Sequence, residues 1–386
     1  MDGKRKIVVL GANAGQADLI RHMKTRGWHV VCCAHRTGEP GALIADEFHQ
    51  LDIRDIDAVV DLATKVEADL VYSISSDVAA ESAVLVSERM GLPHFFNTDF
   101  IDLLNKKEKL RDHLNAVELS VVPYVLASDQ NALANWTVFP CMVKPSDAQG
   151  QRGVVKTDDR KAMDAAIKEA FQFSDTVIVE QYLDGVEMSC NVLVDDGRII
   201  FDVLSERLVH EGHLAGIPQG HLVPCANVPD DVQKQAIDLV HAVVKSLDVR
   251  AGCLYFQMKA TSNGIKIIEI APRLDGCHMW RLIKEATDRD FLQETIDVLL
   301  GESHRTDVAT RKDGQNRELI FQQTPPSNLF QLANFPIPSD KLYHEYRYED
   351  GQEITPINGK LEVVGYFVRA YDDHYTEYAA QNENVG

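Results

Sequence analysis

The sequence predicts an α/β region that is followed by an antiparallel α+β region. Over residues 6–100, short apolar runs alternate with helical patterns, which is typical of an open, doubly wound parallel sheet. Beyond residue 190, two strand pairs are linked by short turns rich in Asp, Asn and Gly, and a further strand pattern covers 360–370. We therefore predict an N-terminal α/β domain at 1–100, a middle domain at 101–300 and a strand-rich subdomain at 301–386.

The length, the net charge and the cysteine pattern exclude several classes of protein. The 386 residues exceed what a single hydrophobic core usually organises, and the net charge is -20. A long-range negative field opposes nonspecific nucleic-acid and acidic-membrane partners, so we expect neither. Seven scattered cysteines without a CxxC pair argue against a disulfide framework, which indicates a reducing cytoplasm. A cytoplasmic enzyme acting on small molecules fits these observations.

The N-terminal pattern begins with a buried strand at 7–10, a glycine turn and a helix at 16–26. Strands at 29–34 and 70–74 and a helix at 56–66 follow. The turn from Gly11 to Gly15 invites a dinucleotide-binding interpretation, but it lacks the third glycine of GxGxxG. We favour a tight turn that lies near a substrate anion.

Lys144 ends an apolar strand and precedes a flexible loop that contains Gly150, Arg152 and Gly153. Backbone N–H groups of such a loop can close over phosphates while the lysine supplies a compact positive charge. The Walker pattern GxxxxGK[ST] is absent. The alternative interpretation is a surface hairpin, in which the apolar stem of Lys144 packs along the hairpin and its ammonium group reaches water.

A second apolar strand, at 177–180, runs into a connector that ends at Glu187. The exposed backbone of a connector can pair with an adenine edge, and a nearby carboxylate can accept both ribose hydroxyls. The Asp-Gly step within it is equally typical of a simple turn.

Gln257 and Glu269 lie on two strands joined by a turn at Ser262 to Gly264. A three-residue turn would place the two side chains directly opposite each other on one sheet face, whereas a two-residue turn would pair Gln257 with Ile270. Oxygen ligands on one face suit Mg²⁺. Arg273 follows closely as a fixed positive fork for a carboxylate or an acyl phosphate.

Histidines concentrate at 210–221, where two of them are three residues apart. This spacing is a poor zinc signature, so we weigh a substrate-facing loop around His221 against a plain solvated loop. His278 and Arg281 follow the strand that carries Glu269 and could contact an anionic substrate.

Taken together, the blocks around Lys107 and Arg111, Lys144, Glu180 to Glu187, and Glu269 to Arg273 resemble the ATP-grasp enzymes. The resemblance spans roughly residues 100–300, and the N-terminal region looks like the pre-ATP-grasp domain that commonly precedes it. Within the superfamily the chain is most similar to stand-alone carboxylate:amine ligases such as the amino acid ligases.

The resemblance implies a role for each matching residue. Contacts to ATP are expected from Lys107, Lys144, Ser146, Gly150, Arg152, Gly153, Glu180, Gln181, Tyr182, Leu183 and Glu187. The glycine loop 146–153 would cover the phosphates. Gln257 and Glu269 would hold Mg²⁺ or Mn²⁺, and Arg273 and Lys144 would act in catalysis.

Two residues depart from the family pattern. Gln257 stands where a glutamate is usual, and Ala271 stands where an asparagine ligand is usual. Both changes weaken metal binding and favour one ion over two. Asp275 could compensate, although an Asp-Gly turn also explains it.

The resemblance implies an ADP-forming ligase that makes an amide or peptide bond through an acyl phosphate. Amino acids are the expected substrates, with a sugar acid as an alternative carboxylate, and a homodimer is the expected assembly. A degenerate protein that binds nucleotide without turnover is the competing hypothesis.

Overall fold

The computed structural model describes residues 3–147, 152–287, 289–303, 315–326, 329–354 and 360–371. These residues form three β-sheets with helices packed between and around them. No helix in the described ranges is long and apolar enough to cross a bilayer.

The first sheet has four parallel strands in the order β3-β2-β1-β4. This confirms the predicted doubly wound N-terminal sheet. Strand β3 was not predicted, because it is a short edge strand with little apolar content. The strands are β1 (Lys6–Leu10), β2 (His29–Ala34), β3 (Glu47–Gln50) and β4 (Leu70–Tyr72), and the helices are α1 (Ala14–Thr25), α2 (Pro40–Ile44), α3 (Ile56–Lys65) and α4 (Asp77–Met90).

The second sheet is small and antiparallel, in the order β5-β8-β6-β7. Its strands are β5 (Tyr124–Leu126), β6 (Cys141–Pro145), β7 (Val155–Thr157) and β8 (Val177–Gln181). The helices of this region are α5 (Thr98–Asn105), α6 (Lys107–Ala116), α7 (Gln130–Ala134) and α8 (Arg160–Ala170). Lys106 has extended backbone angles, which divide the helical pattern of 98–116 into two helices and place Lys107 at the start of α6.

The third sheet has eight strands in the order β13-β12-β9-β10-β11-β14-β16-β15. Because β14 pairs with β11, the strands from beyond residue 300 continue the sheet of the middle region. The domain boundaries that we predicted after residues 100 and 300 stay predictions. The strands are β9 (Val186–Asp195), β10 (Arg198–Val209), β11 (Pro218–Val223), β12 (Gly252–Thr261), β13 (Gly264–Ala271), β14 (Arg317–Thr324), β15 (Lys341–Tyr346) and β16 (Glu362–Ala370). The helices are α9 (Asp230–Ser246), α10 (Met279–Thr287) and α11 (Phe291–Leu299).

The eight-stranded sheet has two chemically different faces. Alternate residues of β9 and β12, such as Cys190 and Phe256, pack against α9 in one apolar core. On the opposite face, Leu193 and Cys253 belong to a core shared with the N-terminal sheet, α10 and α11. Further along the strands, that same face becomes polar and carries Glu187, Ser189, Asn191, Gln257 and Glu269. This polar end is where the predicted site residues gather.

Gly185 precedes β9 at a point where the connector runs directly over β12. Its φ is +93°, and an added Cβ would lie 1.9 Å from the carbonyl oxygen of Ala260. Gly91, which ends α4 with φ +66°, has no atom within 4 Å of such a Cβ.

We predict that Gly185→Ala lowers the free energy of unfolding more than Gly91→Ala does. Both changes strain a left-handed residue, at about 1 kcal/mol each, but only the first also forces two backbone segments apart. Urea unfolding of the two variants beside the parent chain measures the difference. Equal losses would mean that the close approach of the connector to β12 is absent.

Candidate active site

A buried carboxylate, Glu180 at the end of β8, organises the junction between the two antiparallel sheets. Arg111 of α6 donates from Nε to Glu180 Oε2 at 2.8 Å, and Lys144 of β6 donates to Oε1. The same guanidinium donates from NH1 to the backbone oxygen of Ile267 on β13 at 2.9 Å. The side chains of Arg111 and Glu180 are each 2% exposed. This network therefore fixes α6 and the small sheet against the large sheet.

The charge state of Glu180 follows from its partners. Burial alone would raise the pKa of this carboxyl, but Arg111 and Lys144 hold the pKa at about 2. Glu180 is therefore ionised at neutral pH, and Lys144 is held at the inner end of β6 by a fixed counter-charge.

Lys107, the first residue of α6, approaches the same region from the opposite side. Its Nζ donates to the backbone oxygen of Ser146 at 2.9 Å, at the start of the glycine loop. Burial lowers the pKa of Lys107, the charge of Glu269 opposes that effect, and Lys144 adds to it. Lys107 therefore lies within electrostatic range of both Glu269 and Lys144.

The hairpin of β12 and β13 pairs Gln257 directly with Glu269, as the three-residue turn predicted. Of the two turn lengths that the sequence left open, the structure has the two-residue turn, since Thr261 pairs with Gly264. A register shift between Gln257 and Met258 adds the missing residue on β13 and restores the pairing. The amide and the carboxylate therefore share one sheet face.

Glu187 lies beside this pair, on the neighbouring strand β9. Its carboxylate accepts from Arg207 NH1 at 2.8 Å and from Gln257 Nε2 at 3.1 Å, and Lys259 Nζ lies 3.6 Å away. Because a carboxylate offers no donor, Gln257 must turn its NH₂ group toward Glu187, which leaves its amide oxygen for a cation. Sequence reasoning missed Arg207 and Lys259 as partners of Glu187, because no local motif marks either residue.

The backbone N–H groups of the connector after β8 are only partly hydrogen bonded among the residues described. The N–H groups of Gln181 and Tyr182 donate to Pro123 and Pro140, at 3.0 and 3.1 Å. No backbone bond from the N–H of Leu183 is found within the described ranges. The Tyr182 ring lies under two ammonium groups, with Lys156 at 4.3 Å and Lys259 at 5.5 Å from its centroid.

The glycine loop is only partly described. Gly150 lies outside the described residues, and Arg152 and Gly153 form the turn before β7. Gly153 has φ +70° and packs between Pro145 and Phe173. The hydroxyl of Ser146 hydrogen bonds to the carboxylate of Glu108.

Arg273 connects the large sheet with the N-terminal sheet. Its Nε donates to Asp77 in the first turn of α4, and its NH1 donates to the backbone oxygen of Leu274 at 3.1 Å. Burial would lower the pKa of Arg273, but Asp77 and Glu269 raise it, so the guanidinium stays charged. Sequence reasoning missed Asp77, because an acid in the first turn of a helix is commonplace.

The remaining candidates lie apart from this cluster. His278, at φ 55°, and Arg281 both face the buried Asp18 of α1, with Arg281 NH2 donating to Oδ1 at 2.6 Å. Their proposed contact with an anionic substrate stays a prediction. His221 on β11 is fully buried, and burial together with Arg207 lowers its pKa, which keeps the ring neutral. It is not part of a solvated loop.

Solved structures of other proteins superpose on this chain over most of its length. The L-amino acid ligase structure from Bacillus licheniformis superposes with a TM-score of 0.78 at 16% identity, covering 99% of this chain and 96% of that one. The biotin carboxylase domain dimer of Hydrogenobacter thermophilus 2-oxoglutarate carboxylase, in complex with MgADP, ADP and bicarbonate, superposes at 0.79 with 16% identity, covering 95% and 86%. The chain therefore has the ATP-grasp fold.

Sequence matches agree with this fold. Residues 115–272 match the family model described as D-ala D-ala ligase C-terminus. The D-alanine--D-alanine ligase of Nocardia farcinica is 32% identical over 167 residues, which is 40% of this chain and 45% of that protein. The arginine-specific carbamoyl phosphate synthase large chain of Geobacillus stearothermophilus is 22% identical over 321 residues, covering 78% and 30%. The chain thus spans less than half of either relative.

We predict that Glu180→Gln destabilises the protein by about 3 kcal/mol at about pH 7, because two buried cations lose their counter-charge. The folded pKa of about 2 lies below the ordinary value of 4.5, so the stability that Glu180 contributes is present above the higher value. It is lost as the pH falls toward the lower value. Urea unfolding of both proteins between about pH 7 and pH 3 should show the difference shrinking below about pH 5.

Glu169→Gln, on the exposed surface of α8, is the matched control and should leave the pH profile unchanged. A difference between parent and Glu180→Gln that stays constant with pH would contradict the assigned charge state.

Proposed function

We propose that the chain is an ATP-dependent carboxylate:amine ligase that forms an amide or peptide bond and releases ADP and phosphate. The observation that carries the proposal is the position of Glu269. Its charge acts on Lys107 from one side and on Arg273 from the other. Two lysines, an acidic metal ligand and a buried arginine are the groups that a phosphoryl transfer to a carboxylate needs.

The residues at the hairpin fit one Mg²⁺ or Mn²⁺ ion. Glu269 would supply a carboxylate and Gln257 its amide oxygen, which the hydrogen bond to Glu187 leaves unoccupied. Ala271 supplies no ligand, so a second ion would have to bind through phosphates and water. When bound, the ion neutralises charge on the phosphates and orients them.

The nucleotide would lie between the small sheet and the polar face of the large sheet. Lys107 and Lys144 would contact its phosphates beneath the loop 146–153. The N–H of Leu183 would donate to adenine, with the Tyr182 ring alongside. Glu187 already accepts two hydrogen bonds, so it would bind the ribose only while keeping Arg207 and Gln257 as partners.

The reaction follows from the chemistry of the two substrates. A carboxylate resists attack by an amine because its leaving group is poor, so transfer of the γ-phosphoryl group would first give an acyl phosphate. Arg273 would stabilise the charge that develops on the transferred group. The amine would then displace phosphate, and closure of the glycine loop would keep water from hydrolysing the intermediate.

The acceptor substrate would reach the site from the carboxyl ends of the parallel strands β1 and β4. Ligands of open α/β sheets bind at such an edge, where the strand order reverses. Arg273 contacts Asp77 at this edge, and Ser75 lies against Gly15 and Gly276. Amino acids are the substrates we propose first, with a sugar acid as the alternative carboxylate.

A second candidate function is nucleotide binding without turnover. Gln257 and Ala271 favour it, because together they remove one charge and one ligand from the metal site. For either function we propose a cytoplasmic homodimer that acts on small molecules and binds neither nucleic acid nor membrane. The net charge of -20 supports the last point.

We predict ADP release that requires Mg²⁺ or Mn²⁺ and both a carboxylate and an amine. The full chain is assayed with ATP across a panel of amino acids and sugar acids, and hydroxylamine as the amine converts an acyl phosphate into a detectable hydroxamate. ATP binding without release of ADP for any pair would favour the non-catalytic candidate.

Glu269→Gln should lower turnover at least about 100-fold, because the metal loses its charged ligand at the transferred phosphate. Glu169→Gln, far from the hairpin on exposed α8, is the control and should keep full activity. ADP release at saturating substrates measures both variants. Full activity in Glu269→Gln would refute the metal assignment.

A further inference from the structure

A second polar cluster lies buried beside the candidate active site, and the proposed reaction uses none of its members. His221 comes from β11, while Asp275 and Cys277 come from the connector between β13 and α10. One ligand atom of each side chain lies within 4.8 Å of the other two, and all three residues are buried. Sequence spacing could not reveal the cluster, because more than fifty positions separate the histidine from the other two residues.

The surroundings orient two of the three donors inward. The Nδ1 atom of His221 lies 3.2 Å from Ser205 Oγ and 3.4 Å from Ser189 Oγ, which directs Nε2 toward the cluster. Asp275 Oδ1 accepts from the Cys277 N–H at 3.0 Å. Within the described part of the chain, neither His221 Nε2 nor Asp275 Oδ2 has a hydrogen-bond partner. Unpaired buried polar atoms are costly, so two of them in one cluster call for a shared partner.

We propose that His221, Asp275 and Cys277 bind one Zn²⁺ ion. Imidazole, carboxylate and thiolate are the ligands that zinc prefers, and three protein ligands leave one position for water or a substrate atom. Serine partners on the second imidazole nitrogen are the outer contacts that fix a ligating histidine. The inference concerns a site separate from Glu269 and does not depend on the ligase proposal.

The charges of the buried region support a cation at this position. Of the two arginines that act on Asp275, Arg207 has the larger effect, but it donates to Glu187 and to the backbone oxygen of Gly216. No ion pair joins it to Asp275 among the residues described. Burial raises the pKa of Asp275, and Arg207 and Arg273 oppose that effect from a distance without forming an ion pair with it among the residues described. One Zn²⁺ would balance Asp275 and a Cys277 thiolate together.

His210, another histidine that the sequence singled out near His221, has other partners. His210 Nε2 contacts Gln323 Oε1 at 2.9 Å, and its Nδ1 contacts Gln219 Nε2 at 3.0 Å, so both ring nitrogens are occupied. The proposed ion would instead join β11 to the connector between β13 and α10, in which Asp275 lies two residues after Arg273. It would thereby hold the segment that carries this arginine.

The test uses the full chain, purified without chelators, incubated with Zn²⁺ and dialysed. We expect about one zinc per chain by atomic emission, and replacement by Co²⁺ should give thiolate-to-metal charge-transfer absorption. Cys277→Ser should lose that absorption and most of the zinc. Cys190→Ser, a buried cysteine on the other face of the same sheet, is the matched control and should keep both.

The site would be overturned by less than about 0.1 zinc per parent chain after dialysis, or by bound Co²⁺ without thiolate absorption. Retention of zinc by Cys277→Ser would also do so. If Cys277→Ser fails to fold, the zinc content and the Co²⁺ absorption of the parent chain decide whether the site exists. His221→Asn is then the second variant, and it should also lose most of the zinc. Glu269→Gln should keep its zinc, so failure of the ligase proposal and failure of this one are distinguishable.

Discussion

The arrangement of the candidate site depends on one buried interaction, in which Glu180 accepts from both Arg111 and Lys144. Two cations and a single carboxylate leave a net positive charge where β6 ends. That surplus is what an ATP-binding site requires, because the phosphates can complete the neutralisation. Arg111 also holds the backbone of β13, so the same contact links Lys144 of the small sheet to the strand that carries Glu269.

The large sheet supports chemistry because one of its faces changes character along the strands. Leu193 and Cys253 anchor the apolar end against the N-terminal sheet, and Glu187 and Gln257 occupy the polar end of the same face. A rigid apolar layer thus holds polar groups whose burial would otherwise be unfavourable. The register shift in β13 then turns Glu269 toward Gln257.

A chain with a net charge of -20 must bind an anionic nucleotide, which requires a local reversal of sign. Lys107, Lys144 and Arg273 supply that reversal, and burial strengthens it, because little water screens their charges. Asp77 moderates the reversal at the edge of the N-terminal sheet. The acidic groups of the site therefore act as counter-charges and metal ligands and do not repel the nucleotide.

The sequence by itself determined the fold class and the order of the motifs, because strand and helix periodicity and the spacing of short motifs are local properties. It left open whether Gln257 pairs with Glu269 or with Ile270, because the observed pairing results from a two-residue turn and a register shift that the residues of the turn do not encode. Only the tertiary structure revealed Asp77 at Arg273, Arg207 at Glu187, and His221 beside Asp275 and Cys277. These contacts join residues that are 20 to nearly 200 positions apart. The packing of the three sheets determines which of these residues come into contact, and no local sequence pattern encodes that packing.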